Sequence, residues 1–319
     1  MTPYGLPPEL YHCLLDEQPY YLVPPHLLRN RELLGNVIVN PACWFSWHGA
    51  LPPNLEARVR FPDAFLPGNR MVWVEDAATL AIWPFWVGDE YSEYLSRMSP
   101  GCPVDEDLPA HIRWVLTEAN ILVEPNHLAR SRREWRDKVR DCAAAFEQGY
   151  VAVPDLIHPF HVGALRRYYR HRTRTGCFLM GDEQVRRRFA AHNESVASFV
   201  HDQLTQAFGD IASALLRPSY SYFVSYLSGS ELDEHVDREQ CEYSITACID
   251  ASPEPWGESP WPIKLGSGDE AVPVYQKIGD ALLYRGCQVP HSRDRLDDGF
   301  TSASLLLHYV DESFEGNLS

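Results

Sequence analysis

No C-x-x-C pair occurs among the eight cysteines, Cys13, Cys43, Cys102, Cys142, Cys177, Cys241, Cys248 and Cys287, which are scattered along the chain. That absence argues against a zinc knuckle or a dense disulfide framework and favours reduced thiols in a cytoplasm. Positive charge is also in short supply. With a formal charge of −16 and a pI near 5.2, the surface as a whole repels nucleic acid and anionic membranes. The opening "MTPYGLPPELYHCLLDE" has no basic segment followed by an apolar one, so no signal peptide is expected. No stretch suits a bilayer either: the longest without charge, Leu33 to Leu55, contains Pro, Asn and His. The expectation is a soluble, cytoplasmic protein with neither a nucleic-acid nor a membrane partner.

What is present is ordinary for a globular chain: 319 residues, 45% apolar and 23% charged. This length gives two domains as a soft prior. The polar, basic stretch "EPNHLARSRREWRDKVRD" suits a linker running into a helix, which puts a boundary near Ser131 and divides the chain into 1–130 and 131–319. In the first part, "MVWVEDAATLAIW" alternates like strand and turn. After it, "EYLSRMSPGCPVDEDLPAHIRWVLTEANILV" reads as helix, Pro/Gly break, helix and short strand. The order suggests a smaller α/β domain, either winged-helix-like, with some resemblance to the peptide-binding modules of peptide natural-product enzymes, or a plain structural or dimerising unit that would make a homodimer.

Beyond Ser131, "AAAFEQGYVAVPDLIHP" gives helix, a Gly149 turn and the strand Tyr150 to Val153. "HVGALRRYYRHR" and "ESVASFVHDQLTQAFGDIASALL" have helical spacing. From Pro218 the texture changes to short β-branched and aromatic runs: "YSYFVSYL", "EYSITACID", "WPIKL", "AVPVYQKIGDALLYRG" and "TSASLLLHYV". Such a series makes a β-sandwich or jelly roll behind helices, an α+β fold. Arg166, Arg167, Arg170, Arg172, Arg174, Arg186, Arg187 and Arg188 read as a solvated helix face, or alternatively as a surface for an acidic substrate.

In "LDEHVDREQCEYSITACID", an extended backbone points His235 and Asp237 to one side, where they could bind one ion. Alone, the triplet could equally be a surface turn. His291 follows an apolar strand 54 residues after Asp237, enough for four strands to bring the ends of a jelly roll together. Two His and one carboxylate on one face of an iron leave three positions open for a cosubstrate and dioxygen.

With "GYVAVPDLI", "YLSGSELDEHVD", "YSITACID", "KIGDALLYRG" and "PHSRDRL…GFTSASLLLHYV" in this order, the chain from about Gly149 to Val310 resembles the Fe(II)- and 2-oxoglutarate-dependent oxygenase superfamily, especially its prolyl-hydroxylase-like and phytanoyl-hydroxylase-like branches. The resemblance implies a cupin-like double-stranded β-helix with flanking helices. It also implies His235, Asp237 and His291 as Fe(II) ligands, 2-oxoglutarate and dioxygen as cosubstrates, and hydroxylation or desaturation of an amino-acid, peptide or small-metabolite substrate. Because Asp237 is a carboxylate, no site is opened for halide and halogenation is not expected.

The family's Arg-x-Ser at the start of the last strand is Ser302-Ala303-Ser304 here, so Ser304 is retained and the Arg is absent. A guanidinium is the natural partner of a carboxylate. His291, Arg293 and Arg295 alternate, and Arg293 starts roughly 6.6 Å from His291 at about 3.3 Å per residue. Arg293 is the first choice for the distal carboxylate, with a surface ion pair to Asp294, Asp297 or Asp298 as its alternative. Arg295 and the turn residue Lys277 follow. By resemblance Tyr226 hydrogen-bonds the cosubstrate, or it packs as an ordinary strand residue. Ser304 and His308 share strand parity and point inward, where either could be a cavity or a core residue. Trp256 and Trp261 suit a lid or pocket wall. Two further readings stay open: an iron oxygenase using another cosubstrate, and a non-catalytic jelly-roll binding protein.

Overall fold

The computed structural model describes residues 36–48, 50–60, 65, 70–105 and 107–318. The opening segment and Cys13 lie outside these. Strands β1 (Ile38–Val39) and β2 (Cys43–Ser46) precede a hairpin of β3 (Met71–Glu75) and β4 (Ile82–Trp86). The order β2-β3-β4 makes one antiparallel sheet. Helices α1 (Asp89–Leu95) and α2 (Ala110–Glu118) follow, and β5 (Leu122–Val123) then pairs back onto β1. The helix, break, helix and strand read in this stretch are therefore present, although they do not by themselves establish a winged helix.

Helix α3 (His127–Phe146) runs unbroken through Ser131. The stretch expected to be a linker running into a helix is helical from His127 onward, with Trp135, Cys142 and Phe146 putting a buried stripe on one face. Next come β6 (Tyr150–Val153), α4 (Pro159–Arg174), β7 (Leu179–Met180), β8 (Arg188–His192) and α5 (Ser195–Ala212). One large core joins Phe65, Trp73 and Trp83 to Phe199, Val200 and Leu307, so it draws on both sides of Ser131.

The remaining strands are β9 (Leu216–Tyr226), β10 (Leu232–His235), β11 (Tyr243–Ser252), β12 (Ile263–Leu265), β13 (Val272–Val274), β14 (Ala281–Tyr284), β15 (His291–Arg293) and β16 (Thr301–Asp311). They distribute between two antiparallel sheets, β6-β14-β11-β16-β9-β8-β7 and β10-β15-β12-β13. Crossing from sheet to sheet in this order closes a jelly roll. Period-two alternation divides the central strands. On β16, Leu305, Leu307 and Tyr309 join the core that contains Leu204 and Phe208 of α5. Ser304, Leu306 and His308 line the barrel interior instead.

The arginines of α4 depart from a solvated face. Arg166 is fully buried and donates from Nε to Asp250 Oδ1 (3.0 Å) and from Nη2 to Glu254 Oε2 (2.7 Å). Arg170 grips both oxygens of Asp250, and Arg172 is buried over Tyr168 and Phe178. The acidic residues at and beyond the end of β11 lie over this helix and draw its charges inward. Among the described residues no helix is long and apolar enough to cross a membrane.

Two buried imidazoles carry a pH consequence. His161 stacks on Trp83 at 4.3 Å, and His201 Nε2 meets the carbonyl of His308 at 2.8 Å. Burial pushes each pKa down to about 3. The unfolded chain takes up these protons below about pH 6.5 while the folded chain refuses them, so stability falls as pH drops from there toward 3. The expected slope is roughly 1.4 kcal/mol per pH unit for each residue, or roughly 4 kcal/mol for the pair at pH 5. Urea unfolding at pH 7 and pH 5 measures the loss. His201→Gln keeps a donor to the carbonyl and should remove about half of this contribution; an unchanged pH dependence would contradict the assignment.

Candidate metal centre

Strands β10 and β15 pair antiparallel, with Leu232 opposite Arg293 and His235 opposite His291. This register sets the two imidazoles beside each other, ring centroids 4.3 Å apart and planes tilted by 50°. Val236 turns toward solvent, and Asp237, just past the strand, donates its main-chain N–H to Gly286 O at 2.9 Å. Asp237 Oδ1 then lies 3.8 Å from His235 Nε2 and 3.7 Å from His291 Nε2. One ligand atom from each of the three lies within 4.8 Å of the others.

The second hydrogen bond of each ligand aims it. His235 Nδ1 is 2.8 Å from Asp233 O, and His291 Nδ1 is 3.2 Å from Val289 O. A carbonyl only accepts, so each Nδ1 carries the proton and each Nε2 presents its lone pair to the shared space. Burial also holds His291 below the usual imidazole range, which keeps it neutral. Asp237 Oδ2 accepts from Ser244 Oγ at 2.5 Å, leaving Oδ1 for the centre. Ser244 Oγ in turn accepts from His308 Nδ1 at 3.0 Å, and burial pushes the His308 pKa down to about 4, keeping it neutral. Two imidazole nitrogens and one carboxylate oxygen on one side suit a divalent first-row metal such as Fe(II). A second grouping of Asp237, Cys241 and His308 fits less well. There Tyr220 OH lies 2.8 Å from the sulfur, and burial pushes the thiol up to about 12, away from the thiolate a metal needs.

The three ligands open into a cavity of about 650 Å³ whose walls include Arg188, Tyr226, Arg293, Ser304 and His308. Arg293 is buried, with its guanidinium stacked 4.5 Å over the Trp261 ring and Nη1 donating to Trp261 O at 2.8 Å. Among the described residues it has no carboxylate at ion-pair distance. Asp294 pairs with Lys264 and Asp298 with Arg295. Tyr226 OH accepts from Arg188 Nη1 at 3.1 Å, so its own proton stays free to donate into the cavity. Arg295, expected on the metal side, is exposed on its pair with Asp298. The reason is that β15 ends at Arg293, and the alternation ends with it. Lys277 is exposed and Trp256 is 83% exposed, so the structure brings neither to the cavity.

Gln184, Arg188, Ser244, Tyr284 and Gly286 were not singled out for this site from sequence. Gln184 Nε2 lies 3.0 Å from His235 Nε2, and its Oε1 accepts from Arg188. A metal ion on His235 would therefore displace this amide. Ser244 carries no spacing signal. Gly286 does carry one, as a glycine between an apolar strand and the distal His.

No protein-family model matches the chain, and no curated protein matches it. Similar solved structures include a prolyl-4-hydroxylase from Pseudomonas putida, 16% identical over 55% of this chain and 100% of that chain, with a TM-score of 0.44. HygX from Streptomyces hygroscopicus, with nickel and 2-oxoglutarate bound, is 14% identical over 55% of this chain and 88% of that chain, with a TM-score of 0.44. SnoN, a non-heme α-ketoglutarate-dependent epimerase from nogalamycin biosynthesis, is 12% identical over 55% of this chain and 84% of that chain, with a TM-score of 0.45.

Gly286 has no room for a side chain, since an added Cβ would sit 2.6 Å from Asp237 Oδ2 and also collide with Cys241 O and Ser244 Oγ. Gly286→Ala should push Asp237 aside and weaken metal binding by roughly 100-fold or more, whereas Ser244→Ala, which only frees the carboxylate to turn, should cost about 10- to 100-fold. Calorimetric titration with Co(II), alongside circular dichroism to check the fold, separates the two. Equal, wild-type affinity in both variants would refute the arrangement.

Proposed function

We propose that the protein is a non-haem Fe(II)- and 2-oxoglutarate-dependent dioxygenase that hydroxylates or desaturates a C–H bond of an amino-acid, peptide or small-metabolite substrate. The observation that carries this reading is the approach of His235 Nε2, Asp237 Oδ1 and His291 Nε2 to within 4.8 Å of one another, two of them from paired strands. Iron held there by His235, Asp237 and His291 would activate dioxygen as the oxidant, with the keto acid and the substrate C–H bond each giving up two electrons. The chain's own groups bind, orient and exclude water.

Arg293 is the proposed partner of the distal carboxylate. A buried guanidinium without an acidic partner among the described residues is costly, and a bound carboxylate would relieve that cost. Tyr226 and Ser304, on neighbouring strands and lining the same cavity, would each give a hydroxyl to the same carboxylate. Neutral His308 holds Ser244, and Ser244 holds Asp237, so the ligand carboxylate keeps one orientation through turnover. Every described residue lining the cavity has a number of 179 or higher. We accordingly assign residues 1–130 an accessory role, the described ones among them contributing contacts to α5 through Ile82 and Phe65.

Anaerobic titration with Fe(II) and 2-oxoglutarate tests the reading through the weak visible charge-transfer band of the chelate. A band saturating at one iron per chain, absent in His291→Ala, is expected. Arg293→Met should keep iron binding while weakening 2-oxoglutarate by roughly 30-fold, the equivalent of about 2 kcal/mol. Iron binding without a band would favour a different cosubstrate, and no iron binding a non-catalytic jelly roll.

A further inference from the structure

Besides Arg293, the cavity lining includes a group of residues that the proposed chemistry leaves unused. The group consists of His192 at the end of β8, Tyr220 and Tyr222 on β9, and Arg238, the residue after Asp237. The rings form a box: His192 to Tyr222 is 4.8 Å between centroids, His192 to Tyr220 5.5 Å and Tyr220 to Tyr222 5.8 Å. The Arg238 guanidinium lies over the Tyr220 ring at 5.7 Å. Its main chain is pinned, the carbonyl accepting from Cys241 N at 2.9 Å and Cys287 Sγ at 3.1 Å. Its side chain has no hydrogen bond and no acidic partner among the described residues. In a chain with 44 acidic and 28 basic side chains, Arg238 is thus an exposed cation in the cavity lining with its charge uncommitted. Arg188, at the same cavity, is by contrast tied to Asp182.

Resting on the oxygenase reading above, we propose that Arg238 with His192, Tyr220 and Tyr222 forms the substrate subsite, the guanidinium taking a carboxylate and the three rings a flat or apolar body. The substrate class is then a small carboxylic acid or amino-acid derivative rather than a neutral metabolite. A carboxylate matches the planar fork of one guanidinium with one negative charge. A phosphate would bring ≈ 1.5–2 charges against a single cation, next to the carboxylate of Asp237. Because Arg238 directly follows Asp237, an anion held there leaves the body of the molecule beside the three ligands.

The test uses N-acetyl-L-phenylalanine and its uncharged carboxamide as probes, titrated calorimetrically into the full chain loaded with Zn(II) and 2-oxoglutarate. The acid should bind at least ten-fold more tightly than the amide. Arg238→Gln should bring the ratio near one, Arg238→Lys should retain part of it, and 2-oxoglutarate affinity should stay unchanged in both. Equal binding of acid and amide, an acid preference that survives Arg238→Gln, or no binding of either probe at millimolar concentration would each overturn the subsite. His291→Ala separates the two proposals, since the subsite uses none of the three ligands. An acid preference retained in that variant, with no charge-transfer band in the wild-type chain, supports the subsite and fails the oxygenase reading. A band without any acid preference does the reverse.

Discussion

The pairing of β10 with β15 governs the arrangement of everything else at the barrel mouth. It fixes His235 opposite His291, and the loop after β14 returns to that pair through Gly286, whose carbonyl anchors the Asp237 backbone. A shift of one residue in this register would put one histidine on the opposite face of the sheet from the other and dissolve the cluster. The absence of a side chain at Gly286 permits the close approach of Asp237, Ser244 and the Cys241 carbonyl. One strand pair and one glycine thus bring together His235, Asp237 and His291, the last of them 54 residues beyond the H-x-D triplet.

Around that anchor, burial and hydrogen bonding act in sequence. Main-chain carbonyls hold the Nδ1 protons of both histidines, and the Ser244 and His308 chain holds one oxygen of Asp237. What remains facing the shared space is two lone pairs and one carboxylate oxygen. The same burial that keeps His308 neutral makes Arg293 an unsatisfied charge in the cavity wall. In an acidic chain of net −16, the cavity lining sets three arginines against three carboxylates, and of the two buried arginines there Arg188 has an acid at ion-pair distance while Arg293 has none among the described residues. Anionic small molecules repelled by the surface at large gain a specific reason to enter there.

Much of the jelly roll was readable because its strands are short, alternate, and end at Gly, Pro and Asp turns. The four strands expected between Asp237 and His291 are β11 to β14. Strand parity also placed Ser304 and His308 on the cavity side. Parity failed at Arg295 for a local reason, since the strand stops two residues earlier. Ser244 could not be read as a site residue: a serine within "YSIT" looks the same whether it fills a core or holds a carboxylate. Gln184 is brought to His235 by tertiary structure alone, across 51 positions of chain.

The arginines show why composition misleads about the interior. Arg166, Arg172 and Arg188 sit within runs of basic residues that read as solvent-facing, yet all three are buried. Helical periodicity could have separated Arg166 and Arg170 from Arg167, because residues four apart share a face. It could not reveal that Asp250 and Glu254 would lie over that face, for they are contributed by β11 and the loop beyond it, more than 80 residues away. Arg188 and Arg238 border one cavity and look alike as letters, but the fold buries Arg188 beside an acid and leaves Arg238 exposed without one among the described residues. Asp182 answers Arg188, while no described side chain answers Arg238, so of these two it is Arg238 whose charge is left for a ligand to meet.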